Sequence, residues 1–95
     1  MSPATDAPLL KVGASSDPKK VAAAIHGSVF DLGAYPSLRA IGHGAVGQAV
    51  KAIAVARGSC GRQGVNLATQ VSFFTIKGDS GDELSAMVFT LFDRG

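Results

Sequence analysis

Apolar and polar positions follow two rhythms along this chain, and the changes of rhythm mark its elements. "PLLKVGAS" (Pro8–Ser15) alternates loosely with a period of two and predicts a first strand. Asp17 then reads as an N-cap with Pro18 at the first helical position. Val21, Ala24, Ile25, Val29 and Leu32 recur at steps of three and four, one apolar face of a helix. Gly33 is placed to close that helix in a left-handed conformation. Gly27, inside it, costs about 1 kcal/mol against alanine, so a close packing contact is expected there. Pro36 blocks continuation, and "SLRAIG" (Ser37–Gly42) is a short second strand.

A second helix is predicted from Gly44 to Arg57, with Val46, Ala49, Val50 and Ile53 as its apolar stripe and Gly58 as its stop. On another face Gly44, Gln48 and Lys51 follow one another at steps of four and three. Ser59–Gly64 is a loop. "VNLATQVSFFTIK" (Val65–Lys77) is β-branched and aromatic, "GDSGD" (Gly78–Asp82) is a turn, and "ELSAMVFTLFD" (Glu83–Asp93) is a fourth strand antiparallel to the third. The order is β-α-β-α-β-β. In the hairpin, Val71 and Phe73 alternate with Phe74 and Ile76, and Val88 and Phe92 alternate with Met87, Phe89 and Leu91. Two helices cover one face of a four-stranded sheet, so the second apolar face is expected to meet another chain, with a homodimer favoured.

Composition narrows the class. Ninety-five residues, 46% of them apolar and 17% charged, make one domain at 8–95 behind a loose tail at 1–7. No apolar run approaches the roughly 20 residues that span a bilayer, so no membrane association is expected. The opening lacks a basic patch followed by an apolar core, and Cys60 is the only cysteine; a reducing cytoplasm is the expected compartment. The net charge of +2 is unevenly spread. No acidic residue lies between Asp31 and Asp79, while Arg39, Lys51, Arg57, Arg62 and Lys77 fall inside that interval. Such a segment favours anionic partners.

Gly42-x-Gly44-x-x-Gly47 matches the glycine fingerprint of dinucleotide-binding folds, but its context does not. The glycines follow the second strand rather than the first. The ribose-binding acid about 20 residues on is missing, since positions 32–78 hold no Asp or Glu. No cofactor is expected. The local physics remains: glycines permit a tight strand-to-helix turn, and the bare N–H groups of the helix head carry about half a positive charge. That combination suits phosphate.

"RAIGHGAVGQAVKAIAVARG" (Arg39–Gly58) resembles the signature helix region of the stage V sporulation protein S family, and "LLKVGASSDPKKVAAAI" is similar to its opening strand and helix. The resemblance runs from about Leu9 to Phe92. It implies an α+β fold, an Alba-like two-layer sandwich with a four-stranded mixed sheet and two helices on one face. It further implies a small dimeric protein that binds DNA or RNA and regulates bacterial sporulation, septation or development. The turn at 42–44 corresponds to the Alba loop that contributes a basic residue, a place taken here by His43. The Alba hairpin reaches toward the minor groove, whereas this hairpin tip carries Asp79, Asp82 and Glu83, which phosphates repel.

The residues expected to contact nucleic acid are Lys19, Lys20, Gly42, His43, Gly44, Gln48, Lys51 and Arg62. Binding is expected to be electrostatic and weakly sequence-dependent, because no aromatic is interleaved with the basic residues. Arg57 reads as structural, Arg39 as ambiguous and His26, beside Ala22 and Phe30, as a partly buried structural histidine. Cys60 paired with His43 would need an orienting carboxylate that the central segment lacks. No catalytic or metal site, and no small-molecule substrate, is expected. The alternative is a regulatory or scaffolding protein that works through protein contacts alone.

Overall fold

The structure, a computed structural model, describes residues 7–95. The expected tail lies outside the described residues apart from Ala7. The chain forms β1 (Leu9–Val12), α1 (Pro18–Gly27) with a π-helical continuation over Ser28–Leu32, β2 (Ser37–Ala40), α2 (His43–Gly61), β3 (Leu67–Lys77) and β4 (Glu83–Asp93). This is the predicted β-α-β-α-β-β order. The strands lie in the order β1-β2-β4-β3. β1 pairs with β2 in parallel through the α1 crossover, and β2–β4 and β4–β3 are antiparallel. The sheet is therefore mixed, as expected, with β1 and β3 as its edges.

Strand alternation decides what faces the helices. Leu38 and Ala40 of β2, Val12 of β1, Leu67 of β3, and Phe89 and Leu91 of β4 join Ile25, Ala45, Ala49 and Ile53 in one buried cluster. The predicted helix faces are corrected in detail. On α1 the buried positions are Ala22 and Ile25, followed by Ser28 and Val29, while Ala24 is exposed and Leu32 is 71% exposed. The cause is the widened π turn, which rotates Leu32 off the face that an α-helix would keep. Gly33, at φ 68°, ends the segment as predicted, and its N–H donates to the Ser28 carbonyl. Ser28 is buried and its hydroxyl donates to the Ala34 carbonyl. Gly27 marks no tight contact, for an added Cβ would meet only Asp31 Oδ2 at 3.6 Å. It marks instead the change from α to π geometry.

On α2 the buried stripe is Ala45, Ala49, Ala52, Ile53, Ala56 and Cys60, and Val50 is 51% exposed. Small side chains let this helix lie close on the sheet. Gly58 does not stop it; the helix runs on to Gly61 with Arg62 as C-cap. An isolated glycine costs about 1 kcal/mol, less than the buried Cys60 turn beyond it returns. Arg57 is structural, as expected, but by a tie rather than a helix-end charge. Its Nε donates to the Leu67 carbonyl at 2.7 Å and its guanidinium reaches Asn66 Oδ1 at 3.2 Å. His26 is half-buried, tilted on Phe30 at 4.6 Å and hydrogen-bonded to Gln63 Nε2 at 3.0 Å.

β2 ends at Ala40 opposite Met87, so the hairpin runs on past it for four residues on β4, about 14 Å. Its turn closes with Gly78 N–H on the Asp82 carbonyl at 2.7 Å and Gly81 at φ 85°.

Candidate nucleic-acid interface

Because β1 and β2 are parallel, both leave the sheet at the same end, and each feeds a helix there. The β1 exit is a closed loop: Ser16 N–H donates to the Gly13 carbonyl at 3.1 Å, and Gly13 N–H to Ser16 Oγ at 2.9 Å. Asp17, in extended backbone, caps α1 by accepting from Lys19 N–H at 3.0 Å. A carboxylate thus already sits on the positive end of α1, which leaves little there for a second anion.

The head of α2 is different. Gly42 is its N-cap, at φ 89° and ψ 160°, a backbone state that L side chains rarely adopt, and no side chain caps the helix. Gly42, His43 and Gly44 are all exposed. No side chain neutralises the partial positive charge of this helix end, and it falls on an exposed turn. Gly44 has a separate job. A Cβ there would stand 2.9 Å from the Ala14 Cβ, so its bareness lets α2 touch the β1–α1 loop. Gln48 completes that contact, its Nε2 donating to the Ala14 carbonyl at 3.1 Å. Gln48 therefore holds the two loops together, a use the sequence reading did not see.

Around this doubled loop the structure gathers some of the expected cations and scatters others. Lys19 and Lys20 are exposed in the first turn of α1. Lys20 also lines a groove of about 500 Å³ between α1 and β1, together with Lys11 and Asp17. Lys51 is exposed seven residues along α2 from Gly44, about 10 Å up the helix. His43 turns toward the hairpin, lining a hollow of about 330 Å³ with Val46, Phe73, Ser85 and Met87. Arg62, at the far end of the 19-residue α2, lies about 28 Å from His43 and outside the cluster. Cys60 and His43 are about 25 Å apart along the same helix, so they form no nucleophile–base pair. Cys60 is fully buried, and burial raises its thiol pKa above the usual value. Among the described residues no group of three His, Cys, Asp or Glu side chains is placed to hold a metal, and no helix is long and apolar enough to cross a membrane.

Two basic residues outside the expected set lie side by side. Lys11 and Arg39 are register partners on β1 and β2 and share the sheet face turned away from the helices. The period-two pattern of "LLKV" and "SLRA" carries that signal once the strands are known to be parallel. Arg39 and Phe74, far apart in sequence, line one hollow of about 280 Å³.

Topology and layering define an Alba-like α+β domain, a four-stranded mixed sheet with two helices. A family model described as Stage V sporulation protein S matches residues 8–94, and the chain belongs to that family. Membership gives it a sporulation-related role in a family of regulatory proteins.

Proposed function

We propose that the chain fills this role as a dimeric, non-catalytic nucleic-acid-binding protein of the cytoplasm, holding the phosphates of DNA or RNA at the α2 head. One observation carries the reading: the uncapped, exposed turn Gly42–Gly44 stands in a stretch of sequence, 32–78, whose only formal charges are positive. Lys51 follows Gly44 and Gln48 along α2, and Lys20 is exposed in the first turn of α1, which follows the loop that Gly44 and Gln48 clamp to α2. The tip acids Asp79, Asp82 and Glu83 favour an approach over the lysines rather than insertion of the arm.

The dimer reading is supported by the contrast between the two sheet edges. β1 has four residues, one of them Lys11, and follows Pro8, which is the usual way of blunting an edge. β3 has eleven residues with no charge before Lys77 and no proline, and Val71 and Phe73 on it are 51% and 76% exposed. Antiparallel pairing of two β3 strands about Ser72 aligns Leu67–Lys77 with itself over its whole length and sets Phe73 against Val71 of the partner.

Mobility shifts on duplex DNA and RNA across a salt series test the binding. The logarithm of affinity falls with the logarithm of salt at a slope of about −0.9 per phosphate neutralised on duplex DNA. Lys20→Glu with Lys51→Glu weakens the shift without unfolding the chain. A folded dimer that shifts neither polymer at low salt overturns the proposal. A sporulation phenotype that survives the double variant favours the second reading, a scaffold working through protein contacts, for which the exposed Phe73 is the supporting observation.

A further inference from the structure

The open face of the sheet presents a grouping of side chains that the α2 head does not account for. Alternation and register put Leu9 and Lys11 of β1, Ser37 and Arg39 of β2, Val88 and Thr90 of β4, and Ser72 and Phe74 of β3 on the side away from the helices. The charged residues among the strand positions of this face are Lys11 and Arg39, both cations. The two acids of β4, Glu83 and Asp93, fall on the other side, in register with Lys77 and Leu67. Phe74 is 51% exposed here, and it borders the hollow of about 280 Å³ that Leu9, Ser37, Arg39 and Val88 also line. An exposed aromatic ring, a guanidinium at the same hollow, a second cation one strand away and no carboxylate among the described strand positions of the face form one arrangement.

We propose that this face binds unpaired nucleotides of a single-stranded nucleic acid, with a base stacked on Phe74 and the backbone phosphates held by Arg39 and Lys11. Each part follows from the chemistry of the ligand. Every base offers a π-face, so an exposed phenyl ring takes any of them and sequence preference stays low. Guanidinium groups bind phosphate through a planar fork of donors. Paired bases hide their faces in the stack, so the site discriminates single strands from duplex. An apolar cover such as a second copy would leave Arg39 facing a low-dielectric contact with no acid among the residues lining its hollow, which is the costly arrangement. A polyanion supplies the missing charge.

The site stands apart from the α2 head, so the two proposals fail separately. The chain has no tryptophan, and Phe74→Trp places a single indole on the face. Titration with a 15-nucleotide oligouridine is expected to quench its emission, and titration with a duplex of equal length is not. By fluorescence anisotropy, Phe74→Ala is expected to weaken oligouridine binding about tenfold and Phe74→Tyr to preserve it. Arg39→Ala weakens it and makes the salt dependence of the remaining binding shallower than in the parent. Duplex binding is unchanged by Phe74→Ala and weakened in Lys20→Glu with Lys51→Glu. Unquenched indole, or oligouridine affinity unchanged in Phe74→Ala, overturns the proposal. So does a change of solution mass in Phe74→Ala, which would show the face to be covered by another copy.

Discussion

At the scale of single residues, the glycines of the central motif separate by what surrounds them. Gly44→Val drives a side chain into Ala14, 2.9 Å from the Cβ position, and is expected to cost about 1–3 kcal/mol, read as a lower urea midpoint. Gly47→Ala meets nothing within 4 Å inside a helix and is expected to stabilise by about 1 kcal/mol in the same assay. Cys60 gives a pH prediction with a definite sign. Burial raises its pKa in the folded chain above the ordinary thiol value of 9.0, so the unfolded chain loses its proton first. Stability from this group is complete below about pH 9 and falls as pH rises toward the folded pKa. Thermal melts between pH 8 and 11 check it, and Cys60→Ala flattens that part of the profile. Tyr35, raised mainly by desolvation, acts in the same direction. The left-handed states of Gly33 and Gly42 were legible, because few other residues adopt them and each sat where a helix had to stop or start. The amide of Gln48 was not, since its acceptor, Ala14, is 34 positions away and the tertiary fold alone brings the two together.

At the scale of elements, type and order were readable because each rhythm was long enough to declare itself, while faces and ends were not. The spacing of Val21 through Leu32 assumed one helical pitch, and the π turns over Ser28–Leu32 broke that assumption. On α2, valines stood out over alanines as candidates for burial, yet close approach to the sheet selects the small residues and leaves Val50 outside. Its final turns passed through Gly58 because Cys60 is buried beyond it. The link from α2 to β3 is where an element-scale variant has its effect. Arg57→Ala removes the donor to the Leu67 carbonyl and is expected to cost about 1–3 kcal/mol, with faster amide exchange at the start of β3. Arg57→Lys does not rescue it, because one ammonium cannot reproduce the forked contact to Leu67 and Asn66.

For the molecule as a whole, the two edges of the sheet make unlike predictions. Pairing of β3 with its copy puts the two Ser72 Cα atoms about 4.5–5.5 Å apart, within disulfide range. Ser72→Cys is expected to crosslink two chains under mild oxidation, with the buried Cys60 unreactive, and Gln70→Cys is not. Val71→Lys and Phe73→Glu are each expected to yield monomers by light scattering, and the double variant to restore the dimer, since the two new charges face each other across the axis. Dimers unaffected by either single change exclude this edge. The excess of cations was legible as a charge imbalance along the chain, but its split was not: Lys51 lies on α2 and Lys20 in the first turn of α1, Arg62 at the far end of α2, and Lys11 with Arg39 on the sheet face turned away from the helices. Sequence distance carries no information on which side of a sheet a charge emerges until strand partners are known. The clasp between Gln48 and Ala14 has a mechanical corollary. The two turns it joins form a single stiff lip, so a ligand seated on either one should slow deuterium uptake on both, from Gly13 to Ser16 and across the opening of α2 alike.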